Sequence, residues 1–183
     1  GSVGLFGEGP REDTLIEFFG PGDVFILPAV MLDAPYLVTG RLLEEGRVLL
    51  WPAGVFRAQM KVNGTLAYGA TVVMSTYWRT LITQIKDLKL LSAIERLSAM
   101  LLALAPRQTG PVSVYLPGGR KLVAARLGVT PQSLSRAFAS LRPLGVSGSG
   151  RSVTIADATR LREFAAGWMP GTKLLTEKMA GGK

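Results

Sequence analysis

Gln132, Ser135 and Arg136 set an amide, a hydroxyl and a guanidinium along one stripe of a short segment that holds no carboxylate. At about 100° per residue, these three share a helical face with Ala139, while Leu134, Phe138 and Leu141 share the opposite one. Such a face suits the edges of DNA bases. A glutamine amide matches adenine N6 and N7, an arginine fork matches guanine O6 and N7, and Ser135 can meet a base edge or a thymine methyl. Arg120, Thr130, Ser133 and Arg151 are expected to hold phosphates and so fix the register. Arg126 and Arg142 are expected to be solvated.

The elements that must position these groups follow from local chemistry. Thr130 is a good N-cap, and Pro131 occupies the first helical position, where a missing N–H is harmless. Pro143 ends that helix at Arg142. A preceding helix from about Arg120 to Leu127 turns Val123, Ala124 and Leu127 inward, and Gly128 supplies a left-handed turn. The result is a helix-turn-helix. Downstream, Val146 to Ile155 reads as two short strands around a Gly/Ser turn, with Val153 and Ile155 inward. That hairpin is a wing.

Charge is distributed to match. The 183 residues carry 21 Lys and Arg against 13 Asp and Glu, a formal net charge of +8. Residues 1–104 hold nine basic and ten acidic side chains, whereas Ala105 onward holds twelve basic and three acidic. The whole positive excess lies in the part with the wing, as an electrostatic footprint on phosphate requires.

Several function classes are excluded by composition. There is no Cys, hence no disulfide, thiolate zinc site, iron–sulfur cluster or cysteine nucleophile within this sequence. There is also no His. Histidine triads and the usual zinc and haem ligands are therefore absent, and a haem would need Met, Tyr or a terminal group, or a ligand from residues outside this sequence. Glu8, Glu12, Asp13, Glu17, Glu44 and Glu45 form no carboxylate pair of an enzymatic kind. No apolar run reaches the roughly 18 residues of a membrane span, and no basic-then-apolar leader opens the chain. A cytoplasmic protein without a membrane partner is expected.

Upstream, residues 3 to about 57 read as an antiparallel β unit. Its strands are expected at Thr14–Phe19, Val24–Leu27, Tyr36–Leu43 and Val48–Trp51, separated by turn signals such as Gly20-Pro21-Gly22-Asp23. From about Thr65 to Leu88, Ala67, Thr71, Met74, Trp78, Leu81, Ile85 and Leu88 alternate in steps of four and three, a heptad seam. It predicts a dimer helix with its interface at Met74, Trp78, Leu81, Ile85 and Leu88, and with Val73 and Tyr77 on a flank facing the β unit. Lys89-Leu90-Leu91 forms a hinge, and Ser92 with Glu95 makes a capping box for a second helix with Ile94, Leu97, Leu101 and Leu104 inside. Pro106 to Gly110 is a linker, and Val112 to Leu116 a strand. An apolar pocket for a small effector is expected near Leu27, Met31, Tyr36, Val73 and Tyr77.

This order of elements resembles the cyclic-AMP receptor protein and fumarate–nitrate reductase regulator (CRP/FNR) superfamily of bacterial transcription regulators. The run Leu122-Val123-Ala124-Ala125-Arg126-Leu127-Gly128-Val129-Thr130-Pro131-Gln132-Ser133-Leu134-Ser135-Arg136 is similar to the family's helix pair, and Gly150 to Asp157 to its wing and exit strand. The resemblance implies an α+β fold. A partial antiparallel β-roll sensor domain (residues 1–64) whose first strands have no counterpart here would precede a dimerisation helix and hinge (65–91). A C-terminal winged helix-turn-helix domain (92–165) and a tail (166–183) would follow. It implies a homodimer on a double-stranded DNA operator, answering to an unidentified small effector and able to recruit RNA polymerase. Gln132 stands where the family commonly has Glu, which shifts the expected base from cytosine to adenine. Ile26-Leu27-Pro28-Ala29 and Pro35-Tyr36-Leu37-Val38 lack the family's Glu and Arg-Ser or Arg-Thr partners for a cyclic phosphate, so cyclic nucleotide is not the expected effector. The alternative is a protein–protein interaction module derived from a regulator that no longer binds DNA.

Overall fold

The computed structural model describes residues 1–10, 12–105 and 110–166. Residues 106–109 of the expected linker and 167–183 of the expected tail lie outside the described residues. The N-terminal unit is a three-stranded antiparallel sheet of order β2-β1-β3, from β1 (Val3–Gly7), β2 (Thr14–Phe19) and β3 (Thr39–Leu42). Val3 faces Phe19 on one side and Leu42 on the other. A register shift between Leu5 and Phe6 lets both side chains be buried, with Leu15 and Phe19 beside them.

Three expectations for this unit are corrected. Val24–Leu27 is not a strand: Ile26 takes a left-handed conformation (φ 61°) and starts a short helix, α1 (Leu27–Leu32), with Pro28 in its first turn. Tyr36–Leu43 pairs only from Thr39, and Val48–Trp51 pairs with nothing, leaving Leu49 and Leu50 almost wholly exposed. A helix the sequence reading missed, α2 (Ala53–Val62), follows Pro52, and its Phe56 and Met60 lie one turn apart on one face. Pro52 ahead of that pair was the available signal.

The long helix α3 (Gly64–Leu90) is capped by Asn63, whose side-chain oxygen accepts from Leu66 N at 3.0 Å. Its Ala70, Val73 and Met74 pack with Leu27, Val30, Met31, Phe56, Met60 and Leu66 into a small apolar cluster. Tyr77 meets Phe19 edge-to-face at 5.4 Å and donates its hydroxyl to Val24 O at 2.5 Å, so the expected flank toward the β unit is present. Burial pushes the Tyr77 hydroxyl up to about 12, which keeps it protonated as that donor.

The C-terminal unit comprises α4 (Ala93–Leu104), β4 (Val112–Tyr115), α5 (Gly119–Arg126), α6 (Pro131–Leu141), a 3-10 turn (Arg142–Leu144), β5 (Val146–Ser149), β6 (Ser152–Ile155) and α7 (Ala158–Ala166). The sheet order is β4-β6-β5, all antiparallel. One continuous core joins helices to sheet, with Leu97, Leu101, Leu116, Leu141, Ile155 and Leu161 fully buried. Leu104, expected inside, is exposed, and Ser98 is buried in its place with its hydroxyl donating to Ile94 O at 2.8 Å. The serine satisfies its own hydroxyl within the helix, which lets a polar residue occupy the inner face.

The capping box of α4 is complete, Ser92 N donating to Glu95 at 2.6 Å and Glu95 N to the Ser92 hydroxyl. The Ser92 backbone bond, then its side chain, hold the Glu95 carboxyl below its ordinary range. A depressed carboxyl stabilises the fold fully above its unfolded pKa, about 4.3, and loses that contribution as pH falls through the folded value. The stability gap between wild type and Glu95→Ala should therefore narrow in urea titrations as pH drops below about 4. Leu101→Ala should cost about 2–5 kcal/mol at neutral pH.

Candidate nucleic-acid interface

The two helices α5 and α6 meet through a tight turn. Leu127 N donates to Val123 O at 2.9 Å, Gly128 N to Ala125 O at 3.0 Å and Val129 N to Ala124 O at 3.0 Å. Gly128 sits at φ 62°, where an L side chain is strained, and a Cβ there would come within 2.9 Å of the Leu88 side chain of α3. Val123, Ala124 and Leu127 are buried beneath the turn, as the sequence pattern requires.

Thr130 caps α6 by accepting from Ser133 N at 3.1 Å, and its hydroxyl donates to the Ser133 hydroxyl at 3.0 Å. Leu134, Ala137, Phe138 and Leu141 are buried, so the helix is fixed on one side only. Gln132, Ser135, Arg136 and Ala139 are exposed on the other. Among the described residues none of Gln132, Ser135 and Arg136 has a hydrogen-bond or ion-pair partner, so their donors and acceptors are free for an external ligand.

The wing pairs Val146 with Ile155 and Ser149 with Ser152 around Gly150 and Arg151. Arg120 is half-buried and spans both parts of the interface: its guanidinium lies 3.9 Å from the Phe138 ring centroid on α6 and donates to Gly148 O of the wing at 2.8 Å. It thus braces wing against helix. Arg151 is exposed and donates to the Tyr115 hydroxyl at 3.1 Å, with Glu44 at 3.6 Å. Arg126 departs from expectation. It is not solvated but makes a two-pronged pair with Glu17 of β2, at 2.7 and 2.8 Å. No single-sequence pattern links two positions this far apart. Arg142 is exposed, as expected.

The α3 seam divides. Trp78, Leu81, Ile85 and Leu88 are exposed, Trp78 at 67%, whereas Met74 leans into the cluster with α1 and α2. Of the expected pocket residues, Leu27, Met31 and Val73 share that cluster, and Tyr77 lies outside it, bonded to Val24 O. Tyr36 does not join them. It is exposed over a separate shallow depression with Gly7, Glu8 and Leu37 to Gly40. A half-open apolar cavity of about 490 Å3 lies beside the cluster, lined by Val24, Leu27, Trp51, Phe56, Asn63, Thr65, Leu66, Gly69, Ala70 and Val73. Trp51 and Phe56, which face each other edge-on at 5.3 Å, were missed because the extended segment and α2 that carry them were misread.

Residues 95–164 match the family described as the Crp-like helix-turn-helix domain. Over the longer chain, a candidate cyclic nucleotide binding protein of Ruegeria pomeroyi is 29% identical with a TM-score of 0.68, covering 91% of this chain and 74% of that one. Residues 95–164 are thus a Crp-like helix-turn-helix domain, and the chain as a whole is similar to structures of CRP/FNR-family regulators. Two more distant solved structures share the fold. A double mutant of CooA from Carboxydothermus hydrogenoformans has 18% identity and a TM-score of 0.76 over 90% of this chain and 75% of that one. A CRP/FNR-family transcriptional regulator from Thermus thermophilus has 17% identity and a TM-score of 0.61 over 91% and 84%. A search of curated proteins found no match. The chain is a DNA-binding transcription regulator that carries a Crp-like helix-turn-helix domain. No helix among the described residues is long and apolar enough to cross a membrane.

The turn constrains the interface through the positive φ of Gly128. Gly128→Ala should lower stability by more than about 1 kcal/mol through backbone strain alone, read as a shift in the urea midpoint at unchanged slope.

Proposed function

We propose that this regulator binds a double-stranded operator as a homodimer, each copy placing α6 in a major groove of half-sites about one helical turn apart. The observation that carries this reading is the exposed, unengaged face of Gln132, Ser135 and Arg136 on a helix whose other face is fully packed. Arg136 reads guanine, Gln132 reads adenine, and Ser135 meets a base edge or thymine methyl. Thr130 and Ser133 sit at the N-terminus of α6, where backbone N–H groups and hydroxyls favour a phosphate. Arg120 and Arg151 flank the wing, Arg120 with one guanidinium edge already committed to Gly148.

The α3 stripe supports the dimer. Trp78, Leu81, Ile82, Ile85 and Leu88 are each at least 43% exposed, a continuous apolar run that a second α3 would bury. The effector site proposed is the apolar cavity beside α3. Its lining offers Trp51 and Phe56 rings and aliphatic side chains, with hydrogen-bonding side-chain groups only on Trp51, Asn63 and Thr65 and no charged group, so it suits a neutral apolar molecule better than a cyclic phosphate. Ile26, a β-branched residue held at φ 61° next to Leu27, stores about 1–3 kcal/mol of backbone strain at the edge of this site.

Arg136→Ala should weaken operator binding by about 1–3 kcal/mol and relax selection at one base pair per half-site. Wild-type affinity should fall steeply with salt, by about 0.9 logarithmic units per unit of log salt for each phosphate neutralised. Unaltered affinity in the variant, or a flat salt response, would contradict the groove assignment. Trp78→Glu should shift the protein from dimer to monomer in sedimentation velocity and weaken operator binding together with it; a variant that remains dimeric places the interface elsewhere.

A further inference from the structure

Two carboxylates of the N-terminal unit hold cations of the winged domain. Glu17 on β2 receives Arg126 Nε and Nη2 of α5, and both side chains are more than four-fifths buried. Gln84 of α3 donates to the same carboxylate. Glu44, two residues after β3, accepts from the Tyr115 hydroxyl at 2.5 Å and the Ser2 hydroxyl at 3.2 Å, with Arg151 at 3.6 Å. The Tyr115 hydrogen bond chiefly, then the Ser2 hydroxyl and after it the Arg151 charge, draw the Glu44 carboxyl below its ordinary range. Two residues beyond Arg126 the Leu88 side chain of α3 rests on Gly128, so the docked surface continues from α5 into the turn.

We propose that Glu17 and Glu44 form a latch that docks the winged domain on the N-terminal unit and withholds Arg151 from DNA, so that the acidic pair and the DNA backbone compete for the wing. Arg151 Nη1 donates to the Tyr115 hydroxyl, which Glu44 anchors in turn, and the Glu44 carboxylate 3.6 Å away already offsets the charge that a phosphate would pair with. The Glu44 charge beside the wing also repels an approaching phosphate. The Glu17 pair, shielded from solvent, is screened less than a surface pair and so sets the orientation, while the exposed Glu44 contact is the part that DNA can displace. The competition rests on the DNA reading above; the docking does not.

The test uses the full chain with Glu17→Gln, Glu44→Gln and the double variant. Glu45→Gln serves as control, removing the same charge from an adjacent exposed residue with no partner among the described residues. Amide hydrogen exchange without DNA should speed up about tenfold over 14–19 and 119–126 in Glu17→Gln, and over 112–115 in Glu44→Gln, beyond any change in Glu45→Gln. Pairing Glu17→Arg with Arg126→Glu should restore protection at β2 and α5. Operator affinity in Glu17→Gln/Glu44→Gln should exceed that of Glu45→Gln by about tenfold. Exchange no different from the control overturns the latch. Faster exchange with no affinity gain over the control overturns the competition and leaves a static contact. If wild type and every variant fail to bind DNA, the DNA reading fails, and the exchange data still decide the docking.

Discussion

The left-handed turn at Gly128 is the constraint on which both halves of this protein depend. Within the winged domain it sets the angle at which α5 meets α6, and so decides that Leu134, Phe138 and Leu141 face the core while Gln132 and Arg136 face outward. Against the rest of the chain it presents a flat backbone to Leu88, the last seam residue of α3. A side chain there would be strained and would also press on the long helix. One residue therefore couples recognition geometry to the seating of the domain that carries it.

Electrostatics builds on that seating. The positive excess lies in the winged half, and the structure sorts its arginines by role. Arg136 is left free, Arg120 is spent on bracing Phe138 and Gly148, and Arg126 is neutralised by Glu17. Charge counting marks the domain as one that meets phosphate, whereas partner geometry decides which cations remain available to do so.

The winged domain was legible because its signals are local. Thr130-Pro131, the left-handed Gly128, Pro143 and the Ser92–Glu95 box each determine structure within a few residues, and each was found in place. The N-terminal unit was read less well for a physical reason. Val24–Leu27 and Val48–Trp51 are short apolar runs, which periodicity alone cannot assign to strand or helix, and neither is paired. Pro28 and Pro52 each precede or open a helix, so the prolines carried more information than the hydrophobic runs. Glu17 with Arg126, and Glu44 with Tyr115 and Arg151, join residues from 71 to 109 positions apart, and no single-sequence pattern reports such pairs. The exposed face of α6 was thus readable, and the long-range pairs that seat the domain were not.

Core, turn and charge converge on one claim, that α6 reads a specific DNA sequence through Gln132 and Arg136. Selection from a random double-stranded DNA pool with the full chain tests it most directly. The account predicts enrichment of a two-fold symmetric site, with an adenine and a guanine in each half and half-sites about 10 base pairs apart. A pool that remains unenriched after repeated rounds at moderate salt would contradict it.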